Sequence, residues 1–212
     1  MKKGDIIWSI FLAIIVLFLL VPGTREIFKD LTASYPYLMG FIKFSILATM
    51  GELLSIRIVN KKWKRPTGLF YRVVIWGFLG VVIVLVFDLF NSGVAAAQSK
   101  NLLPGESSKF MLAFLTSALM NMIFAPTMMA FHRISDTYIE KKHNINRKIN
   151  LEKVVSSINW GDFVSFVILK TIPFFWIPAH TIVFLLPDVY RIITAAFLSM
   201  ALGAILAFAT TR

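Results

Sequence analysis

Long apolar blocks alternate with short polar segments along this chain. Six of them, Ile6 to Val21, Leu38 to Val59, Leu69 to Asn91, Ser108 to Phe131, Trp160 to Leu186 and Val189 to Thr210, come close to the roughly 17–25 residues that a membrane-crossing helix needs. Backbone in hydrocarbon must satisfy its hydrogen bonds internally, so blocks of this length predict helices. The expected architecture is an all-α integral membrane protein. A single domain over residues 1–212 would form a bundle of six transmembrane helices, with spans two to six as the core and the first as an appendage.

The breaks between blocks carry their own signals. Pro22 and Gly23 end the first block and open a short polar connector holding Arg25, Glu26, Lys29 and Asp30. The loop from Asn60 to Gly68 is short and basic, with Trp63 placed as an interfacial aromatic. Gly93, Ala95 to Ala97, Pro104 and Gly105 predict a flexible loop over Ser92 to Glu106. Pro173 and Pro178 both fall inside the fifth block, and each removes a backbone donor. They predict a kinked fifth helix, with the carbonyls of Leu169 and Phe174 short of donors; Pro126 predicts a further kink in the fourth. Residues 132–159 place Ile145, Ile149, Val154, Val155 and Ile158 at near-helical spacing among Arg147, Lys148, Glu152 and Lys153. That spacing predicts a short cytoplasmic amphipathic helix on the membrane surface, or a solvated helical linker.

Composition agrees with the pattern. Hydrophobic residues make up 58% of the chain and the mean hydropathy is +0.76, more apolar surface than one soluble core hides. A net charge of +11 would suit nucleic acid if it were gathered on one face, but it is distributed between the blocks. Six spans put Lys2, Lys3, Arg57, Lys61, Lys62, Lys64, Arg65, Arg72, Arg133, Lys141, Lys142, Arg147, Lys148, Lys153 and Arg212 on one side. The other side receives Arg25, Lys29, Lys100, Lys109 and Arg191. By the positive-inside rule both termini are cytoplasmic, and the basic loops face anionic headgroups of the lipid bilayer, with no nucleic-acid partner. A cell (plasma) membrane of bacterial type is the expected home. The first block has no small-x-small cleavage pattern before Pro22 and reads as a retained helix. The chain has no Cys, which excludes disulfides, thiolate metal sites and cysteine nucleophiles.

Polar residues inside the blocks supply the candidate chemistry. Counting at about 1.5 Å per residue, Glu52 in the second span and Lys170 in the fifth both lie about 5 Å to the inner side of their span centres. Opposite charges at one depth predict an ion pair, with Asn121 in or near the same layer. An outer layer would hold Lys43, Asp88 and His180, while Arg57 is close enough to a span end to snorkel. Ser45, Thr49 and Glu52 share one helical face. Two readings stand: Glu52, Lys170, Asn121, His180, Ser45 and Thr49 line a polar path for small solutes or ions, or the polar residues are buried pairs that hold the bundle together. On the last span Ala195, Ser199, Gly203 and Ala207 recur every four residues, a stripe for close helix packing. Its partner is either another helix of this chain or a second copy in a homo-oligomer.

Enzyme motifs are absent: no His-Glu-x-x-His, no Gly-x-Ser-x-Gly and no phosphate-binding glycine loop. His132, His143 and His180 lie in separate segments, so no metal or other cofactor is expected. The favoured function is a passive channel or carrier. The alternatives are a substrate-capturing subunit of a larger transporter and a structural membrane protein without transport activity.

In the fifth span and beyond, Trp176, Pro178, His180, Phe184, Pro187 and Arg191 follow one another as do the Trp, Pro, Gln, Asn-Phe, Val-Pro and Arg of a known family. Upstream, Gly51 and Glu52 resemble its Gly-Asp pair, and Arg72, Gly77 and Gly80 its Arg and Gly positions. The chain thus resembles, over about Tyr35 to Leu206, the small integral-membrane family of mitochondrial inner-membrane and peroxisomal-membrane (twenty-two kilodalton) proteins, as a distant bacterial-type member. It departs from the family in carrying His180 for Gln and in lacking the Gly-Pro-x-x-His-x-Trp-Tyr segment. The resemblance implies a non-enzymatic membrane protein with channel-like conduction of small solutes.

Overall fold

Prolines set where several helices begin. A computed structural model describes residues 3–144 and 150–210, and in it α2 (Pro22–Ser34) and α3 (Pro36–Asn60) each start on a proline. Its fixed φ and missing N–H suit a first helical turn, where the donor has no intrahelical partner. Helix α1 (Lys3–Leu20) precedes them, and α4 (Leu69–Ser99) follows the basic loop. Next come α5 (Lys109–Ile123), α6 (Ala125–Asn144), α7 (Leu151–Val155) and α8 (Trp160–Asp162). A π-helix (Phe163–Trp176) then leads into α9 (Ile177–Leu185) and α10 (Asp188–Thr210). No strand occurs among the described residues. Five helices are long and apolar enough to cross a membrane, or six if α5 and α6, bent by 44° where they meet, are taken as one.

The core forms around α3, which packs on α4 and α10. Phe44, Leu47 and Ala48 of α3, Ile83 and Phe87 of α4, Val183 and Phe184 of α9, and Ala195 and Ala196 of α10 are buried there. Large apolar side chains also cover the outside: Phe174 is 81% exposed, Phe70 69% and Ile182 63%. An apolar exterior around an interior that holds Lys43, Arg72, Asn121 and His180 suits a lipid environment. The small-residue stripe of α10 faces α3. A Cβ on Gly51 would stand 2.7 Å from the Cα of Met200, and one on Gly203 would stand 2.9 Å from Ser55 Oγ.

Several local expectations are corrected. Residues 22–34 are helical, not a bare connector. The small residues Gly93 and Ala95 to Ala97 sit inside α4, a helix of 31 residues, since nothing in them breaks a helix before Lys100. Gln98 then ties off the shortened loop by donating to the carbonyls of Pro104 (2.7 Å) and Gly105 (3.1 Å). The segment 132–159 is no continuous surface helix: α6 carries the fourth block's helix on to Asn144, and α7 is five residues long with Val154 fully buried. Ile145, Arg147, Lys148 and Ile149 of that expectation lie outside the described residues.

The two prolines are absorbed by a change of helical register. The N–H of Ile177 donates to Ile172, five residues back. In this wider register the donor missing at Pro173 would have served Ile168, not Leu169. Pro178 falls in the first turn of α9, where no donor is needed.

Helix α1 is more than an appendage. Arg57 donates to both carboxylate oxygens of Asp5 (2.8 and 3.1 Å), and the Trp63 indole donates to the same group at 2.8 Å. Arg57 therefore pairs rather than snorkels. Trp8 donates to the carbonyl of Met50 at 3.1 Å. Replacing Asp5 by Asn is expected to loosen this end. The Trp63 indole N–H, followed by NMR, should exchange with water about tenfold faster while that of Trp76 is unchanged.

Candidate functional site

One face of each core helix converges on a central cavity of about 1060 Å³. Residues Phe44, Ala48, Gly51, Glu52 and Ser55 of α3 recur at helical spacing along one wall, and Trp76, Leu79, Ile83 and Phe87 of α4 along the next. Asn121, Met128, His132 and Asp136 come from α5 and α6, Thr171, Trp176 and His180 from the π-helix and α9. The α10 stripe contributes Ala195, Ser199 and Gly203, whose small side chains leave the volume open. Exposed Arg133, Asn159 and Asp162 line the mouth, at the end of the bundle where α6 and α8 lie.

A charged network sits in the wall near that mouth. Gly68, with φ +66, turns the basic loop into α4; a Cβ there would collide with Ile139. The turn brings Arg72 under α6. Its guanidinium, 5% exposed, reaches Glu52 Oε1 (2.6 Å), Asp136 Oδ1 (3.0 Å) and Glu140 Oε1 (3.0 Å). Arg72 Nε also donates to the carbonyl of Thr67 at 3.1 Å. Trp76 Nε1 approaches Glu52 Oε2 at 3.4 Å, and its ring lies 4.1 Å from that of His132. His132 Nδ1 stands 3.7 Å from Asp136 Oδ2. The Arg72 guanidinium holds Asp136 Oδ1, a fully buried oxygen, in an ion pair.

Farther in, Ser117 Oγ donates to the carbonyl of Ile177 (2.7 Å), and Asn121 Nδ2 donates to that of Ser117 (2.8 Å). The Asn121 amide meets His180 Nδ1 at 3.0 Å. His180 stacks on Trp176 (5.0 Å) and meets Phe87 edge-on (5.4 Å). The Trp176 indole N–H is buried and has no partner. A second cavity of about 310 Å³ is lined by Thr32, Lys43, Asp88, Asp188 and Arg191. Phe87 lines both. No protein family, curated protein or solved structure matches this chain significantly.

The expected pair of Glu52 and Lys170 is not formed. Lys170 is exposed, lies outside the cavity lining and makes no ion pair among the described residues. Depth alone matched these residues; the azimuth of the π-helix turns Lys170 away, and Arg72 takes the carboxylate instead. Ser45 and Thr49 leave the path as well. Ser45 Oγ donates to the carbonyl of Val73 at 3.1 Å within the contact of α3 and α4, and neither residue lines the cavity. The outer layer is also divided. Lys43 is buried on Thr32 Oγ1 (2.9 Å) and over the Phe28 ring (4.5 Å), whereas His180 belongs to the inner cavity with Asn121. Arg72 reads in sequence as a loop charge, although it lies inside an apolar helix. His132, Asp136 and Glu140 recur every four residues, a spacing that marks one helical face and could have singled them out.

Proposed function

We propose that this chain is an integral membrane protein of six spans, its fifth kinked about the π-helix, that acts as a passive channel or carrier for small solutes. Both termini lie on the cytoplasmic side of a cell membrane, which the basic loops favour. The inner cavity takes up the solute through the mouth at Arg133 and Asp162, and the outer pocket releases it.

One observation carries this reading: two cavities share one lining residue, Phe87. A rotation of that ring, held by contacts with Phe184 (4.9 Å) and His180 (5.4 Å), would join them. The residues through which the chain resembles the twenty-two kilodalton family have physical work in this arrangement. Glu52 and Arg72 form the network at the inner end, and Gly77 and Gly80 admit α3 against α4. A structural role for the charges competes with this reading, because the Arg72 network is well connected.

The test is flux through purified protein in liposomes. Phe87→Ala removes the septum, and efflux of trapped small solutes should rise about tenfold, a barrier change of about 1.4 kcal/mol. Lys170→Met should leave flux unchanged. Folded protein that passes no solute, with or without Phe87, would leave only the structural role.

A further inference from the structure

We propose that the inner cavity binds an organic cation, a singly charged ammonium compound whose apolar or aromatic body carries a hydrogen-bond acceptor. The inference rests on reading this cavity as the solute site and names the class of solute.

Charge is the first argument. Around the mouth and the network, the carboxylates are Glu52, Asp136, Glu140 and Asp162, and the facing guanidinium groups are Arg72 and Arg133. The acids are in excess of the guanidinium groups. Arg72 is already spread over three carboxylates and a carbonyl, so it has little left to offer an anionic ligand. A cation settling beside Glu52 and Asp136 would complete the charge balance.

The walls decide what kind of cation. Beyond the carboxylates the lining turns aromatic and aliphatic, with Trp76, Phe87 and Trp176 among its rings, and electron-rich ring faces attract ammonium groups. Its volume, about 1060 Å³, is that of an organic ligand site rather than an ion site. Among the described residues no three ligating side chains converge to hold a metal ion.

Trp176 is the second, independent sign of a ligand. This residue lines the cavity at 8% exposure, and its buried indole N–H finds no acceptor among the described residues. A small turn of the ring would bring that N–H to a carbonyl or ether oxygen on the ligand's apolar body, which would satisfy it.

Equilibrium dialysis of the full chain in nanodiscs, with empty nanodiscs subtracted, tests this with benzoylcholine, benzyltrimethylammonium and phenylacetate. Benzoylcholine should bind saturably, benzyltrimethylammonium more weakly for want of an acceptor, and phenylacetate not at all above background. Asp136→Asn should weaken benzoylcholine binding about tenfold. Asp162→Asn, an exposed substitution that removes no core contact, should weaken it about threefold and serves if Asp136→Asn does not fold. Trp176→Phe should erase the advantage of benzoylcholine over benzyltrimethylammonium. Phenylacetate binding as tightly as the cations, or benzoylcholine affinity unmoved by Asp136→Asn or Asp162→Asn in folded protein, would overturn the proposal. Cation binding without flux would refute only the carrier reading, and flux of other solutes without cation binding only this one.

Discussion

Arg72→Met should destabilise the protein by about 3–5 kcal/mol, the cost of leaving buried acids without their partner. Glu52 and Asp136 would keep their positions in the wall, 17% and 18% exposed, and lose the one guanidinium that reaches both. A loss of that size consumes much of a stability of about 5–15 kcal/mol, so the variant should unfold at a much lower temperature in detergent. Arg72→Lys should fall between the two. A single ammonium cannot reach Glu52, Asp136, Glu140 and the Thr67 carbonyl together, as the planar fork does. The double variant Arg72→Met with Glu52→Gln should recover part of the loss, because it removes a charge along with its partner. An Arg72→Met protein that melts with wild type would mean the network is solvated and contributes nothing to the fold.

Gly80→Leu should be the most damaging single change in the contact of α3 with α4. The two backbones touch there: a Cβ on Gly80 would run into the carbonyl oxygen of Gly40, and one on Gly40 would come within 2.8 Å of the Gly80 carbonyl. Neither neighbour can turn aside, since both contacts are with backbone. Gly80→Ala alone should cost about 1–3 kcal/mol, and Gly80→Leu enough to prevent folding. Gly23→Ala is the control. No packing neighbour stands within 4 Å of its Cβ, so its thermal transition should not fall below wild type. If Gly80→Leu folds with an unchanged melting temperature, the helices are not held at this crossing.

Both expectations depend on features that differ in how legible they are in sequence. The glycine at 80 is visible as a residue without a side chain in an apolar block, and small residues there signal close helices. Arg72 is visible only as a charge near a loop. What makes it the centre of the network is the turn at Gly68 and the bend before Ala125, which bring α4 and α6 together so that Asp136 and Glu140 face it.

The same division holds for the cavity. Asn121 and His180, separated by 59 positions, are each recognisable as polar residues in apolar blocks, and they meet at 3.0 Å. Phe87 carries no sequence signal, being one of 20 phenylalanines, and it stands out only because it lines two cavities. Lys170 shows the opposite case. An ammonium in the middle of an apolar block draws notice, yet the π-helix rotates it outward and it meets no carboxylate among the described residues.

By itself the sequence determined the helical class, the approximate limits of the apolar helices, and which helix face could pack most closely, because hydrophobic length and residue size act locally along the chain. Tertiary structure decided which charges pair, where the cavity lies and which ring it shares with a second pocket. Depth in a membrane is one coordinate and can be counted along a helix; the rotation of each helix about its axis is a second, and only the packing of its neighbours sets it.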